Sequence, residues 1–164
     1  MTIEMTELST PVGPLLVAQE EAGLRGVEFA GKGGELRAEL GRLGARCRDG
    51  DGGERVRRLG AYFEGELDAL EGLPVLLHGT PFQRRVWEEL RRIPVGATIS
   101  YAELARRVGN PKARRAVGAA NGKNPVPIVV PCHRVVAADG TLWGYGGGLE
   151  RKAWLLRHEG ARLA

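Results

Sequence analysis

The stretch Asn124-Pro125-Val126-Pro127-Ile128-Val129-Val130-Pro131-Cys132-His133-Arg134-Val135 sets a cysteine and a histidine side by side at the end of an apolar run. The run from Ile128 predicts a buried strand that holds Cys132 rigidly, and Pro131 narrows the backbone just before it. Neighbouring side chains on a strand point to opposite faces. Cys132 and His133 therefore cooperate only if the chain turns there, or if a water molecule joins them. Cysteine is among the most buried residue types, so for Cys132 taken alone a structural place in a hydrophobic patch is the simpler expectation. Asn124, Tyr145 and Glu159, with the basic helical region upstream, shift the balance toward chemistry.

Upstream of the turn Asn121-Gly122-Lys123-Asn124-Pro125 the pattern is helical. Thr80 is suited to cap a helix with Pro81 in its first position, and Phe82, Val86, Trp87 and Leu90 form its apolar stripe. After the break at Ile93-Pro94-Val95-Gly96, Ser100 caps a second helix through Val108, with Glu103 completing a capping-box pattern. Gly109-Asn110-Pro111 is a compact turn, and a third helix follows over 112–120. Helix, glycine-containing turn and helix make a helix-turn-helix candidate. Lys112, Arg114 and Arg115 stand there beside Ala113, Ala116, Ala119 and Ala120. Small residues allow close approach to a groove while basic groups meet phosphates. An alanine-rich packing helix with solvated arginines fits the same periodicity equally well. Downstream, residues 137–141 form a turn and 143–149 are too glycine-rich for a regular element. A last helix over 150–158 delivers Glu159 just before Gly160, a stop signal.

The chain of 164 residues holds one ordinary domain or two small ones, and 43% apolar content supplies a core. No window approaches eighteen continuous apolar residues, so no membrane span is expected. The N-terminus, with Glu4 and Glu7, lacks the pattern of a secretion signal, and a cytoplasmic location is expected. Cys47 and Cys132 suggest no disulfide framework, and the absence of four clustered ligands disfavours structural zinc. The net charge of +4 is unevenly spread. Residues 1–80 carry nine Lys and Arg against fourteen Asp and Glu, and residues 81–164 carry fifteen against six. The basic half is the one expected to meet a polyanion.

The first half reads as a scaffold of mixed α/β type. Runs at 13–18 and 24–29 predict an antiparallel hairpin, 35–43 a short helix, and 46–53 a loop. Val56, Leu59, Tyr62 and Phe63 recur at helical spacing, and 73–77 predicts a strand or extended connector. The compositional change near residues 78–81 places a boundary between domains 1–78 and 79–164.

Cys132, His133 and Glu159 supply a nucleophile, a proton acceptor and a carboxylate to orient it, and nearby positive charge favours the reactive thiolate. Hydrolysis and group transfer both fit these residues. The sequence from Asn124 to Val135 resembles the signature of the O6-alkylguanine-DNA alkyltransferases. The similarity continues through Ile99-Ser100-Tyr101, Gly109-Asn110-Pro111, Arg115-Ala116-Val117-Gly118 and Tyr145-Gly146-Gly147-Gly148-Leu149, and closes with Lys152, Leu155-Leu156 and His158-Glu159-Gly160.

That resemblance implies an α+β protein: a small ribonuclease-H-like N-terminal domain, then a helical, winged-helix-like domain for DNA binding and catalysis. It implies that Cys132 accepts an alkyl group from guanine O6 and keeps it, so that each molecule acts once. His133, held by Glu159, would remove the thiol proton through a water, with Asn124 organising the turn. Tyr101 would donate toward guanine N3 and Lys152 would support that polar end. Arg115 matches the arginine that fills the vacated stack, and Asn110, Arg114, Ala116, Ala119, Ala120 and Arg134 are expected at the DNA. Val135, Trp143, Tyr145, Gly146 and Gly147 would wall the base pocket. Gly146 falls where some relatives carry a hydroxyl residue, which suggests a roomier pocket. Double-stranded DNA containing O6-alkylguanine is the implied partner, with no cofactor, no metal, no membrane and a monomeric state. A helix-turn-helix regulator, a non-repairing binder of alkylated DNA and a cysteine hydrolase are the alternatives.

Overall fold

A computed structural model describes residues 1–31 and 34–162. Its contacts divide the chain into two compact units, Met1–Leu76 and the remainder from Leu77. The first unit is built on three antiparallel strands, β1 (Thr2–Leu8), β2 (Leu15–Glu20) and β3 (Gly23–Phe29). Helix α1 (Glu35–Arg42) then returns the chain to β4 (Arg46–Asp49), which lies parallel to β1, giving the order β3-β2-β1-β4. In β1, Ile3 and Met5 alternate with polar residues and pack with Ala18 and Leu40 into a buried cluster. That alternation is the period of a half-buried strand. Glu4 pairs opposite Gln19 and Leu8 opposite Leu15.

The β2–β3 hairpin and α1 lie where the sequence places them. The expected loop over 46–53 is instead partly β4, whose four side chains are all exposed. Its hold on the sheet is main-chain pairing to β1, so no hydrophobic pattern announces it. Helix α2 (Gly53–Phe63) buries Val56, Leu59, Tyr62 and Phe63 as its spacing predicts. The 73–77 segment is an extended connector: Leu24 N–H donates to Pro74 O at 2.9 Å and Leu76 N–H to Leu24 O at 2.8 Å.

The second unit is helical. Helix α3 (Pro81–Leu90) begins with a complete capping box, in which Gln83 N–H donates to Thr80 Oγ1 at 3.1 Å and Thr80 N–H to Gln83 Oε1 at 2.9 Å. Such a cap is worth about 0.5–2 kcal/mol. Val86, Trp87 and Leu90 are buried, and Trp87 Nε1–H donates to Ala120 O at 2.8 Å. After the short strand β5 (Ile99–Ser100), helix α4 (Tyr101–Arg107) starts on Ser100, whose hydroxyl accepts from Glu103 N–H. The Glu103 carboxylate turns to Arg106 and Arg107 instead of closing a reciprocal box. Gly109, at φ 84°, reverses the chain in a conformation that glycine adopts without Cβ strain. Helix α5 (Arg114–Gly122) starts two residues later than periodicity predicts. Strand β6 (Val135–Val136) then pairs in parallel with β5, and α6 (Leu149–His158) ends the unit.

Candidate active site

The expected buried strand before Cys132 is absent. Residues 126–131 form a chain of tight turns, and Cys132–Arg134 make one turn of 3-10 helix. Proline explains part of the difference: Pro125, Pro127 and Pro131 remove three N–H donors that a ladder needs. Asn124 supplies an alternative frame. Its Nδ2 donates to Val130 O at 2.7 Å, and its Oδ1 accepts from Val126 N–H at 3.0 Å. Inside that bracket Ile128 sits at φ 77°, a conformation a β-branched residue rarely adopts, at a cost of order 1–3 kcal/mol. Cys132 N–H donates to Val130 O at 2.8 Å across Pro131 (φ −83°, ψ 67°), an inverse γ-turn. Asn121, which sequence reasoning passed over, donates from Nδ2 to Cys132 O at 3.3 Å.

The 3-10 turn changes the relation of Cys132 to its neighbours. Successive side chains diverge by about 120° instead of the 180° of a strand. His133 is wholly buried, and its Nε2 lies 2.8 Å from Glu159 Oε2. Burial pushes the imidazole below its ordinary pKa, although Glu159 opposes the shift. The neutral ring therefore donates from Nε2 to the carboxylate and leaves Nδ1 as an acceptor. That Nδ1 is buried and has no hydrogen-bond partner among the described residues.

Glu159, delivered by the end of α6, also receives both arms of Arg134: Nε to Oε1 at 2.8 Å and an Nη to Oε2 at 2.9 Å. Burial by itself raises this carboxyl, but the bonds from His133 and Arg134 outweigh it and hold the group at about 2. The other Nη of Arg134 donates to Ile93 O at 2.7 Å. The expectation that Arg134 contacts DNA is thus corrected. Its guanidinium is buried and committed to Glu159 and Ile93, so that it fixes the carboxylate holding His133. A lone arginine after Cys-His carries no sequence signal for that inward turn.

Cys132 is 5% exposed. Burial pushes its thiol up to about 11, with an Asn124 hydrogen bond and the Lys152 charge acting in the opposite direction. The free protein therefore holds a thiol, not a thiolate. Lys152 is fully buried, and its Nζ donates to Val135 O (2.7 Å), Trp143 O (2.8 Å) and Gly144 O (3.1 Å). Desolvation lowers it to about 8. Tyr101 donates its hydroxyl to Trp143 O at 2.8 Å, and burial raises its pKa to about 12, which keeps it a donor. Both donors are thus engaged by the main chain of the glycine-rich loop.

The remaining predicted residues fall into distinct places. Val135 is buried in β6. Tyr145 is half-buried, Gly146 exposed and Gly147 buried. A Cβ built on Gly146 would meet no atom within 4 Å, so the loop has space there. Asn110, Arg114, Arg115, Ala116 and Ala119 are exposed together on the turn and α5. Ala120 is not: it is 3% exposed and packs inward, with its carbonyl engaged by Trp87. Its expected place at the DNA is corrected accordingly, since it falls on the inner face of α5 with Val117. A cavity of about 560 Å³ opens against the outer face of α5, with Tyr101, Arg114, Arg115 and Trp143 in its wall. Among the described residues no cluster of His, Cys, Asp and Glu is suited to a metal ion, and no helix is long and apolar enough to cross a membrane.

Comparison with known proteins agrees with this geometry. Residues 81–161 match the family described as 6-O-methylguanine DNA methyltransferase, DNA binding domain, and residues 4–77 match its ribonuclease-like domain. A methylated-DNA–protein-cysteine methyltransferase from Shigella flexneri is 46% identical over 167 residues, covering 96% of this chain and 95% of its own. A protein of the same description from Methanosarcina acetivorans is 44% identical over 152 residues, covering 93% and 95%. Among solved structures, the Mycobacterium tuberculosis O6-methylguanine methyltransferase superposes with a TM-score of 0.82 at 41% identity, covering 99% of this chain and 95% of that one. The M. tuberculosis OGT in complex with DNA gives 0.84 at 41% identity, covering 96% and 92%.

Proposed function

The chain belongs to the O6-alkylguanine-DNA alkyltransferases, the methylated-DNA–protein-cysteine methyltransferases, and on that premise we propose that Cys132 takes the alkyl group of O6-alkylguanine in duplex DNA and keeps it as a thioether. The observation that carries this mechanism is the buried neutral His133, with Nε2 committed to Glu159 and Nδ1 left as an acceptor one residue from the thiol. A water between Sγ and Nδ1 relays the thiol proton to the imidazole, and Glu159 stabilises the imidazolium that forms. The sulfur then attacks the alkyl carbon. The carbon–O6 bond breaks, and its electron pair passes into the purine. Tyr101 donates toward N3 as charge develops there, with Lys152 beside it.

The O6 atom of a stacked base is out of line for this attack, so the nucleotide leaves the helix, at a cost of a few kcal/mol that damaged pairing lowers. Arg115, exposed on α5, fills the gap, while Asn110, Arg114, Ala116 and Ala119 lie along the backbone. Tyr145, Gly146 and Gly147 wall the base, and the space at Gly146 supports activity on groups larger than methyl. O4-methylthymine, with the same exocyclic alkyl–oxygen bond, falls within the same chemistry. The protein works as a monomer without a cofactor, in the cytoplasm, where its thiols stay reduced.

Intact-protein mass after exposure to an O6-methylguanine duplex tests the proposal. One methyl group is expected on Cys132 and none on a Cys132→Ala protein. Substrate turnover beyond one equivalent, with unchanged mass, would indicate a hydrolase. Sequence-selective binding of undamaged duplex without transfer would indicate a helix-turn-helix regulator.

A further inference from the structure

Two residues that adjoin Cys132, His133 along the chain and Asn121 through a hydrogen bond, carry buried acceptors that meet no donor among the described residues: His133 Nδ1 and Asn121 Oδ1. The first serves the proton relay, and the second has no task in it. Asn121 lies on the inner face of α5 with Val117 and Ala120 and is 5% exposed. Its Nδ2 donates to Cys132 O at 3.3 Å, which fixes the sense of the amide, since the reverse setting brings two acceptors together. Oδ1, on the same amide, is thereby kept as an acceptor close to the Cys132–His133 peptide. A buried acceptor without a donor costs about 1–3 kcal/mol, and asparagine is a poorer helix former than leucine or methionine. Packing alone favours an apolar side chain at this position, so the amide points to a donor outside the protein chain. A water between the thiol and His133 is such a donor. Buried waters make about three hydrogen bonds. Accepting from the thiol and donating to Nδ1 make two, and the second O–H of the water needs an acceptor.

We propose that Asn121 is a positioning residue whose Oδ1 holds the second O–H of the relay water. The first O–H is then aimed at His133 Nδ1 and a lone pair at the Cys132 thiol. This role rests on the proton relay of the proposed transferase reaction and names the group that orients it. In the relay the thiol proton passes to the water oxygen, while the proton on the His133 side of the water passes to Nδ1. Sulfur becomes thiolate, imidazole becomes imidazolium, and the water is regenerated. The O–H held by Asn121 keeps its bond throughout, so the water does not turn as the protons move.

The test uses the full chain with Asn121→Leu, which has no polar side-chain atom, and Asn121→Asp, which keeps the native size. A buried carboxyl facing a carbonyl holds its proton, so at pH 6 Asn121→Asp donates to Cys132 O and still presents an acceptor. With saturating O6-methylguanine duplex at pH 6, rapid quench should show methyl transfer about tenfold slower in Asn121→Leu, equivalent to about 1.4 kcal/mol. Asn121→Asp should stay within about threefold of the native rate. Affinity for undamaged duplex should stay within about twofold in both, because the residue is buried. Two readouts of the free protein report on the water itself. The nitrogen NMR shift of His133 Nδ1 should be that of a hydrogen-bonded acceptor in the native chain and of a bare ring nitrogen in Asn121→Leu. Rotating-frame NOE spectra of the native chain should join one bound water to both His133 Hε1 and the Asn121 β-protons, a result that needs no variant to fold. Native-rate transfer by Asn121→Leu, failure of Asn121→Asp to rescue, or an unmoved Nδ1 resonance would each overturn the assignment. So would a water that reaches His133 Hε1 but not Asn121, or a matching loss of duplex affinity, the mark of a displaced α5. If the native protein transfers no methyl group, it is the transferase function that fails, and the two NMR readouts alone then decide the role of Asn121.

Discussion

Replacing Glu159 by glutamine keeps the shape of the side chain and removes the charge on which two buried groups depend. Arg134 and His133 contact its oxygens at 2.8–2.9 Å, and all three residues are buried, so solvent screens them little. The carboxyl lies at about 2 in the fold, against an ordinary value of 4.5. At about 1.36 kcal/mol per pH unit, that interval corresponds to stabilisation of order 3 kcal/mol. Because the folded value is the lower one, the stabilisation is complete above about pH 4.5 and is lost as pH falls toward 2. Glutamine leaves the Arg134 guanidinium buried without a counter-charge, which costs about 3–5 kcal/mol. Urea unfolding at pH 7, followed by far-ultraviolet circular dichroism, should show a loss of that size. The acid limb of the stability curve should also flatten in Glu159→Gln. Should the variant not fold, Arg134→Leu combined with Glu159→Leu removes both charges, and it should recover to within about 1–2 kcal/mol of the native protein while losing methyl transfer. A loss below about 1 kcal/mol in Glu159→Gln, or an unchanged acid limb, would refute the ion-pair account.

Tyr101→Phe removes both the loop tether and the donor to the base. Methyl transfer should fall about 10–100-fold while stability changes by no more than about 1 kcal/mol, and rapid-quench rates with thermal melts decide it. Since burial holds the Cys132 thiol near 11, its labelling by iodoacetamide in the free protein should climb about tenfold per pH unit from pH 7 to 9. A plateau near pH 8.5 in peptide mass spectra would contradict that environment. Arg114→Ala should weaken binding to any duplex and lower the slope of log affinity against log salt by about one, measured by fluorescence anisotropy. Trp87→Phe removes the donor to Ala120 O and should cost about 1–3 kcal/mol in urea unfolding.

The elements that bury an apolar stripe were legible. Val56, Leu59, Tyr62 and Phe63 announce α2, and Thr80 with Pro81 announces the start of α3, because spacing and capping are local properties. Strand β4 was not, since its exposed side chains carry no pattern and its partner β1 lies more than forty residues away. The Ile128–Val130 run misleads for the opposite reason. Its composition is that of a strand, but three prolines and the Asn124 bracket impose turns. Within the site, Cys132, His133 and Glu159 stand out by type and order. The inward course of Arg134 and the burial of Ala120 depend on tertiary packing around Ile93 and Trp87, which spacing does not encode.

Cys47 lies on the open edge strand of the first unit, whereas Cys132 is enclosed. A single chain thus carries one quick sulfur and one slow one. For a protein consumed mole for mole by its substrate, that difference supplies an internal headcount. At neutral pH a thiol dye counts every molecule through Cys47. In denaturant the same dye finds a second sulfur only in molecules that have not yet reacted. The ratio of the two readings gives the fraction still usable, in one tube and without any standard.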